Sequence, residues 1–213
     1  MKCLILICIL CTLILPMTSA QSASIGAKIG GGLASFGGSD WENALDWIGG
    51  DNKVRLGFTI GMFLNFKINE WFAIQPEFIY SLTGGAYYYY ESFFFGDVDG
   101  KITINTLELP ILLMPRFRAG KGEIRIFAGP DLIIILGDIE TKEKTSLITL
   151  SVEYEPDHVF VFGIKGGIGY AHPLSEGAFV VDFGYTRSLT DIFEDDNTAI
   201  NHLMLTIGYQ IGF

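Results

Sequence analysis

Past residue 11 the chain has no cysteine; its three are Cys3, Cys8 and Cys11. Everything after them lacks disulfides, thiolate metal sites and cysteine nucleophiles. Basic residues are also few, 14 Lys and Arg against 24 Asp and Glu, giving a formal net charge of −10. That balance argues against nucleic acid and anionic headgroups as partners, since both reward lysine and arginine. After residue 20 no stretch is long and apolar enough for a transmembrane helix. If the chain enters a membrane, it must do so with strands.

The first 20 residues have the pattern of a cleaved signal peptide. Lys2 is a minimal positive start, LILICILCTLIL is the apolar core, and TSA ends in a small residue at Ala20, before Gln21. Pro16 interrupts the end of that short run, which disfavours a spanning anchor. A lipoprotein would need a cysteine where Gln21 stands. The expected organisation is a signal peptide at 1–20 and one domain at 21–213, with Lys2 lost and the charge falling from −10 to −11.

What remains is rich in strand signals. Hydrophobic residues make up 49% and charged residues 18%, which excludes a disordered chain. The 26 glycines and 14% aromatics together suit strands and turns rather than helices. In VRLGFTIGMFLNF (54–66) every even position is apolar, while the odd positions include Arg55, Gly57, Thr59, Gly61 and Asn65. A strand sends alternate side chains to opposite faces, so one face is greasy and the other small or polar. The same alternation recurs in SIGAKIGGGLA, WFAIQPEFIYSL, INTLELPILLMP, EIRIFAGPDLIII, HVFVFGIKGGIGY, AFVVDFGYT and NHLMLTIGYQIGF. That makes eight segments, each about the 9–11 residues that a tilted strand needs to cross a bilayer.

Charges decide which face points inward. The small-or-polar face collects Lys28, Arg55, Glu77, Glu108, Arg125, Asp131, Lys165 and Asp182, four of each sign, spaced among glycines. A soluble barrel would turn a densely charged face to water. Isolated, balanced charges between glycines instead fit an ion-pair network filling a narrow lumen, with the greasy face toward lipid. The expected fold is all-β: an eight-stranded antiparallel transmembrane up-and-down barrel of the small outer-membrane type. Its connections would be long and acidic at 35–53, 83–101, 137–157 and 189–200, and short near 67–70, 116–122 and 171–177. Both termini fall on the short side, as expected of such barrels with periplasmic termini and extracellular loops.

Three local features are candidates for function. SDWENALDWIGG predicts a short helix in which Ser39 and Glu42 fit a capping box and Trp41, Leu45 and Ile48 share a face. Trp41, Trp47, Tyr87, Tyr88, Tyr89, Tyr90, Phe93, Phe94 and Phe95 form either a surface for recognising an envelope or host-surface protein, or an interfacial aromatic belt, which for the tyrosine and phenylalanine run is carried on a strand extension. Ser188 and His202 share the inward face, and Asp191 or Glu194 could complete a hydrolase triad, but no nucleophile motif surrounds the serine. Asp97, Asp99 and the FEDDN run at 193–197 lack a complete calcium-loop pattern, so no metal or cofactor is expected.

The end of the chain, with Tyr209, Ile211 and Phe213 at period two, is similar to the signal that outer-membrane proteins present to the barrel assembly machinery. The motifs SIGAKIGGGLA, FAIQPEFIYS, TLELPILLMPRF, FAGPDLIIIL and LTIGYQIGF together resemble the outer-membrane β-barrel domain of PorT-like proteins. LELPILL is the most specific of these pieces. The resemblance implies a barrel surrounded by outer-membrane lipid, often of no assigned activity. PorT itself is linked to secretion, and no residue here carries that role across.

The expected function is therefore non-enzymatic: envelope integrity, surface recognition or support of an envelope complex. Its rivals are a small pore, a lipid hydrolase using Ser188 and His202, and a soluble periplasmic ligand-binding barrel. Fractionation separates the last of these. The chain is expected in the outer-membrane fraction, migrating differently on semi-native gels before and after boiling. Recovery in the soluble periplasm would reverse the assignment of faces.

Overall fold

The computed structural model describes residues 22–92, 96–145, 148–192 and 198–212. The signal-peptide reading, Phe93–Phe95, residues 193–197 and Phe213 therefore lie outside the described residues. Its elements are β1 (Ser22–Gly37), α1 (Ser39–Ile48), β2 (Asp51–Lys53), β3 (Arg55–Lys67), β4 (Phe72–Ser92) and β5 (Gly96–Ala119). They continue with β6 (Gly122–Ile135), β7 (Ile139–Lys144), β8 (Thr149–Tyr154), β9 (Phe160–Leu174), β10 (Gly177–Ser188) and β11 (Ala199–Gly212).

Eight of these strands close on themselves. β1 pairs with β3, and the order continues through β4, β5, β6, β9, β10 and β11, which pairs back onto β1. Every pairing is antiparallel, and the β4–β5 ladder completes the ring. Ser24 lies opposite Gly212 and Ser22 opposite Lys67, so both described ends sit with the tight turns at 68–71, 120–121 and 175–176. The other end carries α1 and the long connections.

The alternation dictates what each wall presents. Ile25, Ile29, Leu33, Phe58, Ile60, Met62, Ile126, Ile168, Phe183, Leu205 and Ile207 all stand exposed on the outside. Their sequence neighbours point into the lumen and are buried. No described helix is long and apolar enough to cross a membrane, so any crossing is made by these strands. Outward tyrosines mark two levels of the wall. Toward the long-loop end, the Tyr80 hydroxyl donates to Asn105 Oδ1 at 2.7 Å and that of Tyr185 to Asn201 Oδ1 at 2.6 Å. Toward the turns lie Trp71, Tyr170 and Tyr209, giving the amphipathic rings expected at both membrane surfaces.

The lumen is filled in layers. At the long-loop end Phe36, Ile104, Ile133, Ile135, Ile139, Val161, Ile192 and Ile200 form one apolar cluster. Toward the turns, Ala73, Leu112, Met114 and Phe127 form a second cluster, and Phe63, Ala171 and Val180 a third. The buried charges occupy inward positions of the same strands. The plug of isoleucines was not foreseen, because Ile133 and Val161 look like ordinary strand residues until the barrel closes around them.

Two expectations need correction. The capping box is absent: the helix N-cap is Gly38, whose carbonyl accepts the Glu42 amide at 3.1 Å, and no side chain caps it. Ser39 thus lies one residue inside the helix. Asp40 and Glu42 still sit in the first turn, where carboxylates favour the helix dipole. The described parts of 83–101 and 137–157 are not simply open loops. β4 and β5 continue as a paired ladder from Thr83–Ile104 up to Ser92–Gly96, and β7–β8 form a hairpin whose first strand extends from β5. Tyr87–Tyr90 belong to that extended β4, because a tyrosine run has strong strand preference and a ready partner in β5.

Depth along the wall yields a test. Ile168 lies mid-strand on the outer face and Leu174 at the end of β9 beside a turn, each about half exposed. Ile168→Arg is expected to destabilise the folded barrel in lipid by about 2–4 kcal/mol, and Leu174→Arg by about 0–1 kcal/mol. Denaturant unfolding in vesicles measures both, and equal costs would contradict a lipid-facing wall.

Candidate functional site

Every one of the eight anticipated charges is at most 6% exposed and faces the lumen. Six join in a continuous chain of contacts. Arg125 Nη2 meets Asp182 Oδ1 at 2.6 Å, and Lys28 Nζ lies 3.9 Å from Asp182 Oδ2 and 2.6 Å from Glu77 Oε1. Lys165 Nζ continues the chain, 3.6 Å from Glu77 Oε2 and 3.2 Å from Glu108 Oε2. Glu77 is the hub, because Gln75 Nε2 also donates to it at 2.7 Å and Asn65 Nδ2 supports Gln75 at 2.9 Å.

None of these ion pairs joins neighbouring strands. They link β1 to β4, β1 to β10, β6 to β10, β9 to β4 and β9 to β5, all of which are separated in the ring. Where one strand intervenes, it carries a glycine beside the pair. Gly169 of β9 is opposite both Arg125 and Asp182, and a Cβ there would strike the Asp182 carboxylate. Gly61 and Gly208 flank Lys28, and Gly129 lies opposite Lys165. Glycine on the skipped strand lets two long side chains meet over it.

The other two charges stand apart. Arg55 donates from Nη1 to the carbonyl of Thr83 and, at 3.4 Å, to that of Ile102. Both carboxylate oxygens of Asp131 and both ring nitrogens of His202 have no hydrogen-bond partner among the described residues. One inward cation escaped the sequence reading: Arg116, 4% exposed, pairs with Glu123 near the turns. Its place at the end of the apolar LPILLMP run made it look like part of a turn. Its period-two spacing from Glu108 was the available signal.

The aromatic candidates divide. Phe36 and Tyr87 lie against Gly85 and Gly100, where a Cβ would collide with each ring. Trp41 packs between them, 5.0 Å from Phe36 and 5.8 Å from Tyr87 between ring centroids. Tyr89 stacks on Tyr87 at 6.2 Å, and the Tyr87 hydroxyl donates to Glu143 at 2.5 Å. Burial first, then that bond to a carboxylate, raises the Tyr87 phenol above its ordinary range and keeps it protonated. On the opposite face Lys53 Nζ sits 4.1 Å from the Tyr88 ring centroid. Tyr90 and Trp47 are exposed, Trp47 by 88%. Tyr209 and Ile211 lie on the outer wall of β11.

The hydrolase constellation is not assembled among the described residues. Ser188 Oγ accepts the Ile200 amide at 2.8 Å, His202 is registered opposite Thr186, and Asp191 is exposed to solvent. No group of three or more His, Asp or Glu that could hold a metal occurs among the described residues.

A closed antiparallel barrel with an apolar outer wall and a braced polar interior is the architecture of a small outer-membrane protein. The chain belongs to the outer membrane protein β-barrel domain family, which it matches over residues 19–194. Its fold is similar to that of the outer membrane protein OprG of Pseudomonas aeruginosa, at 14% identity and a TM-score of 0.51, covering 91% of this chain and 97% of that one. Neisserial surface protein A matches at 12% identity and a TM-score of 0.45, covering 90% and 99%. Ail, the attachment invasion locus protein of Yersinia pestis, matches at 15% identity and 0.43, covering 90% and 100%. No curated protein matches this chain.

The network separates two carboxylates by their partners. Glu77→Gln removes the hub's charge between two lysines and is expected to cost about 3 kcal/mol of unfolding free energy. Asp131→Asn alters a carboxylate that joins none of the ion pairs and is expected to leave the unfolding midpoint unchanged or raised. Urea titration followed by gel mobility compares them, and a larger loss for Asp131→Asn would refute the assignment of Glu77 as hub.

Proposed function

We propose that this chain is an exported, non-enzymatic outer-membrane barrel with a closed lumen. Its long-loop end acts as a rigid platform for recognising an envelope or host-surface protein, or for supporting an envelope complex. One observation carries the reading: ion pairs between non-neighbouring strands cross the lumen beneath an apolar plug. Side chains held that way leave no continuous water path, and an interior of eight strands is about wide enough for side chains alone. The platform's members are α1, held by aromatic contacts to β1 and β4, and the β4–β5 extension and β7–β8 hairpin, held by strand pairing.

The orientation follows the same reading, with the tight turns and both termini in the periplasm and α1 outside the cell. Residues 1–20 direct export, and Tyr209, Ile211 and Phe213 engage the barrel assembly machinery. The LELPILL and terminal motifs favour a PorT-like member of the family, without its secretion role. Against catalysis stand the Ser188 hydroxyl, occupied by a backbone amide, and His202, with neither ring nitrogen bonded among the described residues.

Single-channel recording tests closure. The refolded chain in planar bilayers is expected to insert without steady conductance. A reproducible open channel at low voltage would replace this function with a pore.

A further inference from the structure

A cleft of about 480 Å³ opens at the long-loop end between α1 and the β7–β8 hairpin. Its walls include Phe36, Trp41 and Tyr87 on one side and Leu150, Val152 and Tyr154 on the other. The charged residues lining it are Asp40 and Glu143, with no lysine or arginine among its described lining. Two polar atoms in it are buried without hydrogen-bond partners among the described residues: Trp41 Nε1 and Thr198 Oγ1. Thr198 is only 2% exposed. Thr83 Oγ1 and Arg55 Nε at this end are likewise without partners among the described residues, but only Trp41 and Thr198 line the cleft, and these two point to a group that the cleft would receive.

From these features we infer that the cleft binds a small organic cation, an ammonium group on an apolar body with one oxygen acceptor. Aromatic faces attract a cation through the ring quadrupole, and the effect grows where water is excluded. Glu143 supplies negative charge at the cleft wall, and no lysine or arginine is among the described lining. Glu143 already holds the Tyr87 hydroxyl through Oε1, leaving Oε2 for an ammonium group. The Thr198 hydroxyl accepts a second ammonium hydrogen, and the Trp41 indole N–H takes the ligand's oxygen. The Leu150, Val152 and Tyr154 side chains of β8 cover the apolar body.

The cleft is built rather than incidental. Phe36 and Tyr87 are seated on Gly85 and Gly100, positions where any larger residue would displace the ring. Trp41 is wedged between them by α1. An anionic ligand would meet two carboxylates and no base. A purely apolar ligand would leave the Thr198 and Trp41 atoms unsatisfied at a cost.

The test uses the refolded full chain in nanodiscs and three probes of one shape, each with a phenol oxygen for the Trp41 N–H: tyramine, 2-(4-hydroxyphenyl)ethanol and 3-(4-hydroxyphenyl)propionate. Calorimetric titration is expected to show saturable binding of the amine, about tenfold tighter than the alcohol, and none of the carboxylate. Glu143→Gln is expected to bring the amine down to the affinity of the alcohol. Glu140→Gln, on the other face of β7 and paired with Lys142, is expected to change nothing. Both variants are checked for the heat-dependent gel shift of a folded barrel. Equal binding of amine and alcohol, tight binding of the carboxylate, an unaltered preference in Glu143→Gln, or no saturation by any probe would each overturn the inference. A silent barrel in planar bilayers with no amine binding would remove this site alone, since closure of the lumen rests on the ion pairs and not on the cleft.

Discussion

Inside a bilayer the backbone has no water to bond, so each strand needs a neighbour along both edges. The pairing of β11 with β1 and the long β4–β5 ladder meet that demand. Closure then fixes everything else. It forces one face of each strand to meet lipid and the other a narrow lumen filled by side chains. The apolar positions take the outside because burial in hydrocarbon costs them nothing. The charges are left to find one another across the interior.

Their solution depends on glycine. A lysine on one strand and a carboxylate two strands away meet only if the strand between them carries no side chain at that height. Gly169, Gly129, Gly61 and Gly208 occupy such positions. The result is a set of braces between strands that share no backbone bonds. Each partner is buried, so no single member is dispensable without leaving an uncompensated charge. Above the braces the isoleucine cluster fills the lumen, and beyond it lie α1 and two hairpins. That outer region uses different physics: aromatic rings on glycines, and a tyrosine hydroxyl held by a carboxylate.

Much of the barrel could be read directly. Period-two alternation in eight segments, with isolated charges on the glycine face, points to a membrane barrel, because no soluble arrangement needs both features at once. The rhythm of long and short connections placed both described ends together. Other features resisted reading. Residues 137–157 look like a loop because their composition is mixed and acidic, and Tyr87–Tyr90 read equally as a loop surface or a strand extension; a strand extends wherever an adjacent edge offers hydrogen bonds. Arg116 was passed over because it follows an apolar run, and the capping box failed because Gly38 sits one residue earlier with a carbonyl to offer.

By itself, then, the sequence determined which face is greasy, which side chains line the lumen, and that the chain crosses a membrane in strands. These are local properties, set by the two-residue period of a strand. Only the tertiary structure decided the partners. Lys28 chooses Glu77, Asp131 stays outside the ion pairs, and Trp41 meets Tyr87, because such meetings depend on strand stagger and closure. Neither is written in the alternation of any one segment. The cleft beside α1 belongs to the same category: its walls come from β1, β4, β5, β7, β8 and the helix, and they converge only once the ring is shut.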